Sequence, residues 1–229
     1  LTHSSIWCIV KDNQGTLWLG TYFGGVNYFN PEYEIYSRYM YSPIEKKGLS
    51  NPVVGRTIED KDGNLWIGTE GGGLNYYNRR TREFKWFRPE IGPNSISHNN
   101  IKALYYDASK DIIWIGTHLG GLNRLDIRSG QFTHYRMEAG NPETLPSDII
   151  RDIAPYQDHL VIATQNGICL FDPANGKCQQ LFQDSKEGKK IKMVADVTFD
   201  SNGTLWIAAT GEGVFSYRFD TGKLTNYRH

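Results

Sequence analysis

The sequence predicts an all-β protein built of five repeated units, on three observations. The chain of 229 residues is rich in aromatic residues and glycine, with 14 Tyr, 10 Phe, 6 Trp and 24 Gly. This composition is typical of strands joined by tight turns. A short apolar motif around tryptophan recurs at nearly constant spacing. No segment shows the 3.6-residue period of a helix, so the repeats are expected to contain strands only.

The recurring motif has the form Leu-Trp-Ile-Gly-Thr and is expected to form one strand of each unit. Its five copies begin at Leu17, Leu65, Ile113, Leu160 and Leu205. Successive copies are separated by 45 to 48 residues. Four strands in a repeat of about 40–50 residues are the signature of a β-propeller, in which each repeat forms one blade. The predicted fold is therefore a β-propeller of four-stranded antiparallel blades.

Each unit shows the same order of segments, which we label strands A to D. An apolar strand A precedes an Asp-x-x-Gly turn, strand B carries the tryptophan, strand C follows a glycine pair, and strand D is short and aromatic. Neighbouring blades are expected to stack and to bury the tryptophans and β-branched residues between them. The predicted blades cover residues 1–46, 47–94, 95–142, 143–186 and 187–229 of a single propeller region.

Charge and motifs exclude several classes of function. Lys plus Arg equals Asp plus Glu, 25 each, so no basic excess predicts a nucleic-acid partner. No apolar stretch approaches the ~18 residues of a membrane span, so no direct membrane contact is predicted for this chain. The sequence contains no nucleophile motif and no histidine pair with ligand spacing, so no catalytic residue, metal or cofactor is predicted. Asp60 to Gly63 resembles half of a calcium loop, but the twelfth position is Gly71 rather than Glu.

The three cysteines are Cys8, Cys169 and Cys178. An odd and small number gives no disulfide framework. Cys169 and Cys178 flank the turn between strands C and D of the fourth unit, where they are expected to approach each other. Both a disulfide and a pair of buried thiols agree with that position.

The loops between strands B and C hold the main candidate ligand residues. In a propeller these loops lie on one face, around the mouth of the central channel, where ligands usually bind. Their residues differ between units while the surrounding motif repeats. Aromatic rings beside polar groups suit sugars, which offer apolar ring faces and hydroxyls. The alternative is that these loops vary because nothing constrains them. The candidates are Tyr22, Phe23, Glu70, His118 and Gln165.

Strand A adds three cationic candidates: Arg56, Lys102 and Arg151. They occupy similar places in three units, on the strand that lines the channel of a propeller. Charge-assisted hydrogen bonds from these side chains would suit an acidic sugar or a sulfate group. The alternative is that each cation is solvated or paired with a neighbouring carboxylate.

The extended motif resembles a known repeat. The pattern Asp-x-x-Gly-x-Leu-Trp-Ile-Gly-Thr-x-x-Gly-Gly-Leu-Asn-x-Tyr, as it stands at 60–77, is similar to the two-component regulator propeller repeat. Three units match it closely and two loosely, and together they cover nearly the whole chain. The resemblance implies the periplasmic sensor region of a Bacteroidetes hybrid two-component system, which contains a histidine kinase and a response regulator outside this piece.

The resemblance also implies a function. Sensors of this family detect breakdown products of polysaccharides and signal across the membrane, so an oligosaccharide is the expected ligand and this piece is expected not to be an enzyme. Such sensors usually carry seven-bladed propellers, whereas this chain has five units. We therefore expect it to be part of a longer propeller, with closure of five blades or pairing in a homodimer as alternatives. The alternative functions are a propeller enzyme similar to polysaccharide lyases and a dimerisation module without a ligand.

Overall fold

The computed structural model describes residues 1–30, 35–45, 47–183 and 185–228. Twenty strands form five four-stranded sheets, and within each sheet the strands are hydrogen-bonded in chain order. The helical structure of the described residues is limited to one 3-10 turn at Gly188–Lys190. These residues include no helix with the length and apolar content needed to cross a membrane. The prediction of an all-β protein of four-stranded blades is therefore confirmed.

The chain divides into two compact units, which we describe separately. The first comprises residues 1–115 and 123–133, and the second comprises residues 116–122 and 134–229. Blades 1 and 2 belong to the first unit, and blades 4 and 5 belong to the second. Blade 1 contains β1 (Ile6–Lys11), β2 (Leu17–Thr21), β3 (Val26–Asn30) and β4 (Ile35–Tyr39), and blade 2 contains β5 (Val54–Glu59), β6 (Leu65–Thr69), β7 (Leu74–Asn78) and β8 (Glu83–Phe87).

The remaining strands follow the same A-to-D order. Blade 3 contains β9 (Ile101–Asp107), β10 (Ile112–Thr117), β11 (Leu122–Asp126) and β12 (Gln131–Tyr135). Blade 4 contains β13 (Ile150–Tyr156), β14 (His159–Thr164), β15 (Gly167–Phe171) and β16 (Cys178–Gln180). Blade 5 contains β17 (Val194–Phe199), β18 (Leu205–Ala209), β19 (Gly213–Arg218) and β20 (Lys223–Tyr227).

The hydrophobic core of the first unit lies between facing blades. Trp18 of blade 1 packs in a buried cluster with Val54 and Ile67 of blade 2. Trp66 of blade 2 packs in a second cluster with Ile101 and Ile113. Because a sheet that is apolar on both faces needs a neighbour on each side, these layers explain why one blade is not stable alone.

The core of the second unit repeats this packing between blades 4 and 5. Val161 and Ile168 of blade 4 lie in one buried cluster with Val194, Ile207 and Phe215 of blade 5. The five side chains are between 0% and 1% exposed. Removal of such surfaces from water supplies most of the stabilising free energy, at roughly 25 cal/mol per Å² of apolar area.

The Asp-x-x-Gly turns between strands A and B have a second structural role. The Asp60 Oδ1 atom accepts the backbone N–H of Asp62 at 3.0 Å and that of Asn64 at 2.9 Å, which closes the turn. Its Oδ2 atom accepts the indole N–H of Trp66 at 3.0 Å. The same indole bond joins Trp18 to Asp12 at 2.7 Å and Trp206 to Asp200 at 2.9 Å. The repeated aspartates are therefore turn formers, as predicted, and they also satisfy buried tryptophans.

The asparagine of the Gly-Gly-Leu-Asn segment ties strand C to the residue before strand A. Asn75 accepts the backbone N–H of Ser50 at 2.8 Å and donates to the Ser50 hydroxyl at 2.8 Å. We call this reciprocal pair the Asn–Ser clamp. Within the first unit it recurs as Asn27 with Thr2 and as Asn123 with Ser97. The three asparagines are 0% exposed, so the clamps satisfy polar groups that would otherwise be buried alone.

Candidate functional site

An exposed aromatic patch lies on blade 1, formed by Trp7, Tyr22, Phe23 and His3. The Trp7 and Tyr22 rings are stacked, with centroids 5.3 Å apart and planes 11° apart. Phe23 meets Tyr22 edge-on at 4.3 Å. Trp7 is 51% exposed and Phe23 is 55% exposed, although both are large apolar side chains. We name these four residues the aromatic patch.

The backbone of blade 1 explains why these rings meet. The pairing of β1 with β2 is irregular between Ile6 and Cys8, so Trp7 lies at a β-bulge. A bulge bends the strand and redirects the side chain it carries. The N–H of Tyr22 donates to the Ser5 carbonyl at 3.1 Å, which fixes the loop between β2 and β3 beside the start of β1.

His3 completes the edge of the aromatic patch. Its ring centroid lies 6.4 Å from that of Tyr22 and 6.3 Å from that of Phe23. Its Nδ1 atom accepts the N–H of Ser5 at 3.0 Å. In the neutral ring the proton therefore lies on Nε2, which is a hydrogen-bond donor beside the apolar rings.

Glu70 and Lys102, two candidate ligand residues, form an ion pair with each other in the first unit. Their side chains are 24% and 21% exposed, respectively. The N–H of Glu70 donates to the Val53 carbonyl at 3.0 Å, which places the carboxylate beside the start of strand A. The Lys102 charge is thus compensated within the protein, as the alternative interpretation of the cationic candidates expects. Arg56 is half-buried and lies in the irregular stretch of β5 between Val54 and Thr57.

The second unit contains the other three candidates. Arg151 lies at the bulge of β13 between Ile150 and Asp152, and its Nη2 atom donates to Gln165 Oε1 at 3.2 Å. His118 is half-buried and forms a β-bridge with Ile149. Four of the candidates thus form two donor–acceptor pairs, Lys102 with Glu70 and Arg151 with Gln165.

A groove of about 610 Å³ lies at the ends of blades 1 and 2 that carry the turns between strands A and B, opposite the loops between strands B and C. Arg79 spans it, with Nη2 2.8 Å from Asp12 Oδ2 and Nη1 3.2 Å from Glu59 Oε1. The guanidinium carbon of Arg79 lies 4.8 Å from the centre of the Trp18 ring. Arg38 and Arg82 also line the groove, which gives it a cationic wall that the sequence analysis did not identify.

Asp111 is a buried carboxylate of the first unit that accepts hydrogen bonds from three side chains. It accepts from Lys61 at 2.6 Å, from Tyr106 at 2.9 Å and from Arg128 at 3.3 Å. The hydrogen bond from Lys61, with those from Tyr106 and Arg128, lowers the pKa of Asp111 despite partial burial. Burial and the bond to Asp111 raise the pKa of Tyr106 to about 12. Both groups therefore keep one protonation state near neutral pH, which suits a structural network rather than proton transfer.

No three His, Cys, Asp or Glu side chains of the described ranges converge on one point as metal ligands would. Asp60, which the sequence places in a loop resembling a calcium site, uses both carboxylate oxygens in its own turn and for Trp66. The geometry of Asp60 is therefore that of a hairpin turn.

Sequence reasoning identified Tyr22 and Phe23 but missed Trp7 and His3. Trp7 was assigned only to strand A, and a strand pattern does not indicate where a bulge falls. One signal was available: the corresponding stretch of blade 2 contains Gly55, so a tryptophan there is an unusual residue for the repeat.

Two family models match the chain. The two component regulator propeller matches residues 1–23 and 48–71, which include β1, β2, β5 and β6. The SMP-30/Gluconolactonase/LRE-like region matches residues 103–228, more than half of the chain. No curated protein sequence is similar enough to count as a relative.

Several solved structures share the fold. The extracellular domain assigned to the hybrid two component system BT3049 of B. thetaiotaomicron superposes with a TM-score of 0.83 at 24% identity, covering 98% of this chain and 30% of that one. A corresponding domain of BT4673 from the same organism gives 0.78 at 23% identity, with 98% and 31% coverage.

PorZ, a surface component of the type-IX secretion system of Porphyromonas gingivalis, gives a TM-score of 0.71 at 20% identity, with 95% and 32% coverage. The chain thus spans about a third of the length of these solved chains and corresponds to part of their propeller region. The chain is a β-propeller that carries two-component regulator propeller repeats, and by its longer match it belongs to the SMP-30/gluconolactonase/LRE-like family.

Proposed function

We propose that this chain is part of the extracytoplasmic sensor region of a hybrid two-component regulator and that it binds an oligosaccharide at the aromatic patch. Ligand binding would change the arrangement of the propeller region and pass a signal across the membrane to a histidine kinase. The observation that carries the proposal is the exposed stack of Trp7 and Tyr22 beside Phe23.

The proposed location and signalling role rest on the similar solved structures and on one family model. Two of the similar solved structures are extracellular domains assigned to hybrid two component systems. Strands A and B of the first two blades also match the two component regulator propeller model. These matches favour a periplasmic sensor that is not itself an enzyme.

The choice of ligand rests on the chemistry of the patch. The C–H faces of a pyranose ring stack on aromatic rings, and its hydroxyls need hydrogen-bond partners at the edge of that contact. Trp7 and Phe23 offer exposed ring surface, and the Nε2 atom of His3 offers a donor at the patch edge. The patch can therefore supply both parts of sugar recognition.

The ion pair of Glu70 with Lys102 favours a neutral sugar over an acidic one. An anionic ligand at Lys102 would have to displace Glu70, which compensates its charge. Arg151 likewise donates to Gln165. We therefore expect a neutral oligosaccharide, with uronic acids and sulfated sugars binding more weakly.

The direct test is a titration of the purified chain with neutral oligosaccharides, followed by calorimetry and tryptophan fluorescence. Tyr22→Ala removes the stacking partner of Trp7 and should weaken binding about tenfold or more, since 1.4 kcal/mol corresponds to tenfold. Tyr41→Ala is the matched control, because Tyr41 is 51% exposed and belongs to the strand D side of blade 1. Equal binding by both variants would remove the patch as the site.

The match of residues 103–228 to the SMP-30/gluconolactonase family supports a second candidate, hydrolysis of a sugar lactone. Such a reaction releases an acid, so proton release from gluconolactone and related lactones measures it directly. We expect no rate above the uncatalysed one, with divalent cations present or absent. A rate that increases with protein concentration would establish the enzyme and overturn the assignment of this chain as a sensor alone.

A further inference from the structure

We propose that Cys169 and Cys178 form a disulfide that fastens the outermost strand of blade 4. The two Sγ atoms lie 3.0 Å apart in the reduced protein. Cys169 is 0% exposed and Cys178 is 6% exposed, so both sulfurs lie in the interior of the second unit. The choice of Cys169 and Cys178 as partners rests on the geometry of blade 4. The presence of an oxidant rests on the extracytoplasmic location in the proposed function.

The strand register places both cysteines on one face of the sheet. Cys169 of β15 is opposite Gln180, and Cys178 of β16 is opposite Phe171. The cysteines are therefore diagonal neighbours, two residues apart in register. Side chains at such positions point to the same face of the sheet and are within reach of each other.

Comparison between blades shows what the cysteines replace. Cys169 faces Ile162, as Asn75 of the Asn–Ser clamp faces Ile67. Blade 4 has no serine N–H for a clamp, because Pro146 stands where blade 2 has Ser50. A proline has no backbone N–H to donate. Blade 4 thus lacks the clamp that holds strand C in blades 1, 2 and 3.

Cys178 is unusual for its position as well. The residues at the equivalent pairing position are Tyr36, Phe84 and Leu224, each of which is large. Blade 4 therefore has cysteine at two neighbouring positions that other blades fill with different residue types. Its strand D is also shorter, with three residues in β16 against five in each of the others. A covalent bond would compensate for the shorter ladder.

The reaction balances as a thiol–disulfide exchange with an external disulfide. One cysteine thiolate attacks a sulfur of the oxidant disulfide and releases one oxidant thiolate. The second cysteine then attacks this mixed disulfide and releases the other, so two protons and two electrons leave the pair. The oxidant is the disulfide form of a periplasmic thiol oxidoreductase or, in vitro, oxidised glutathione.

The timing of this reaction follows from burial. Burial and the neighbouring Cys178 raise the pKa of the Cys169 thiol, so the folded protein contains little of the reactive thiolate. The bond is therefore expected to form while β16 is still undocked, during folding. Once formed, it lies out of reach of reductants in the folded blade.

The test maps the free thiols of the chain after its export to the periplasm. The purified chain is unfolded in denaturant that contains an alkylating reagent and no reductant, so that every free thiol is labelled. Trypsin cleaves after Lys177, between the two cysteines, so residues 152–177 and 178–186 remain joined only if the disulfide exists. We expect the joined peptides, with Cys8 alone alkylated. Alkylation of all three cysteines would contradict the proposal for the exported protein.

Refolding in a glutathione redox buffer tests whether the two cysteines can pair, independently of where in the cell the protein is oxidised. Joined peptides after refolding, but not after export, would show that Cys169 and Cys178 can pair but would contradict the proposal for the exported protein. No joined peptides in glutathione would overturn the disulfide and leave the sensor proposal untouched. Cys178→Ser should lower the melting temperature by about 5–10 °C under oxidising conditions and much less under reducing ones. Cys8→Ser is the control and should show no dependence on redox conditions.

Discussion

The Asn–Ser clamp of blade 2 gives the sharpest stability prediction. In Asn75→Ala the Ser50 N–H loses its acceptor at 2.8 Å, and the Ser50 hydroxyl loses its donor at 2.8 Å. Asn75 is 0% exposed and Ser50 is 5% exposed, so water does not reach these groups. A hydrogen bond contributes about 1 kcal/mol net, and a buried unsatisfied group costs about 1–3 kcal/mol. The free energy of unfolding should therefore fall by about 2–4 kcal/mol.

Asn27→Ala is the matched control for this experiment. Asn27 is equally buried, but its partner Thr2 is half-buried, so water can replace part of the lost hydrogen bonding. The expected loss is about 1 kcal/mol. Urea unfolding followed by tryptophan fluorescence measures both values, and an unchanged slope with urea shows that they refer to the same transition.

The double variant Ser50→Ala with Asn75→Ala tests the clamp as a pair. If the two side chains interact, the sum of the two single-variant losses in unfolding free energy will exceed the loss in the double variant by about 0.5–3 kcal/mol. The reasoning is refuted if Asn75→Ala costs no more than Asn27→Ala, or if the single losses simply add.

Two further predictions concern turns and acid stability. Gly73 has a φ of 78°, and an added Cβ would overlap the Phe87 carbonyl. Gly73→Ala should therefore abolish folding or lower the free energy of unfolding by more than about 3 kcal/mol. Gly130 has a φ of 70° with open space around it, so Gly130→Ala should cost only about 1–2 kcal/mol, as measured by thermal unfolding of both variants. Burial alone would raise the pKa of Asp12, but hydrogen bonds from Trp18, Thr16 and Gln14 and the charge of Arg79 lower it below its ordinary value of 3.8. The stabilisation is therefore complete only above about pH 5 and is lost as the pH falls through 3.8 and then through the lowered pKa. Arg79→Ala should shift acid unfolding to higher pH, and an unchanged midpoint would contradict this assignment.

Much of the fold was predictable from the sequence, because the repeat fixes its own strands. A tryptophan marks strand B in four of the five repeats, and the alternating segments around it are predicted as strands A, C and D. The fourth unit was harder, since its turn has no Asp-x-x-Gly. There Tyr156 pairs with His159 across a two-residue turn, and Gln157 adopts a φ of 52°.

The candidate site was less predictable, because it depends on contacts between neighbouring blades. The ion pair of Glu70 with Lys102 joins side chains 32 positions apart, and one sequence does not indicate such a pair. The position of Trp7 depends on a bulge, which strand periodicity does not reveal. Tyr22 and Phe23 could be named as candidates because the residues of the loops between strands B and C differ from repeat to repeat, whereas the flanking motif is constant.

The measurement that tests the account most directly is binding of neutral oligosaccharides to the chain and to Tyr22→Ala, with Tyr41→Ala as control. The account predicts that at least one neutral oligosaccharide binds, quenches or shifts tryptophan fluorescence through Trp7, and binds at least about tenfold more weakly to Tyr22→Ala. Binding that is unchanged in Tyr22→Ala, or a panel in which only acidic sugars bind, would contradict it.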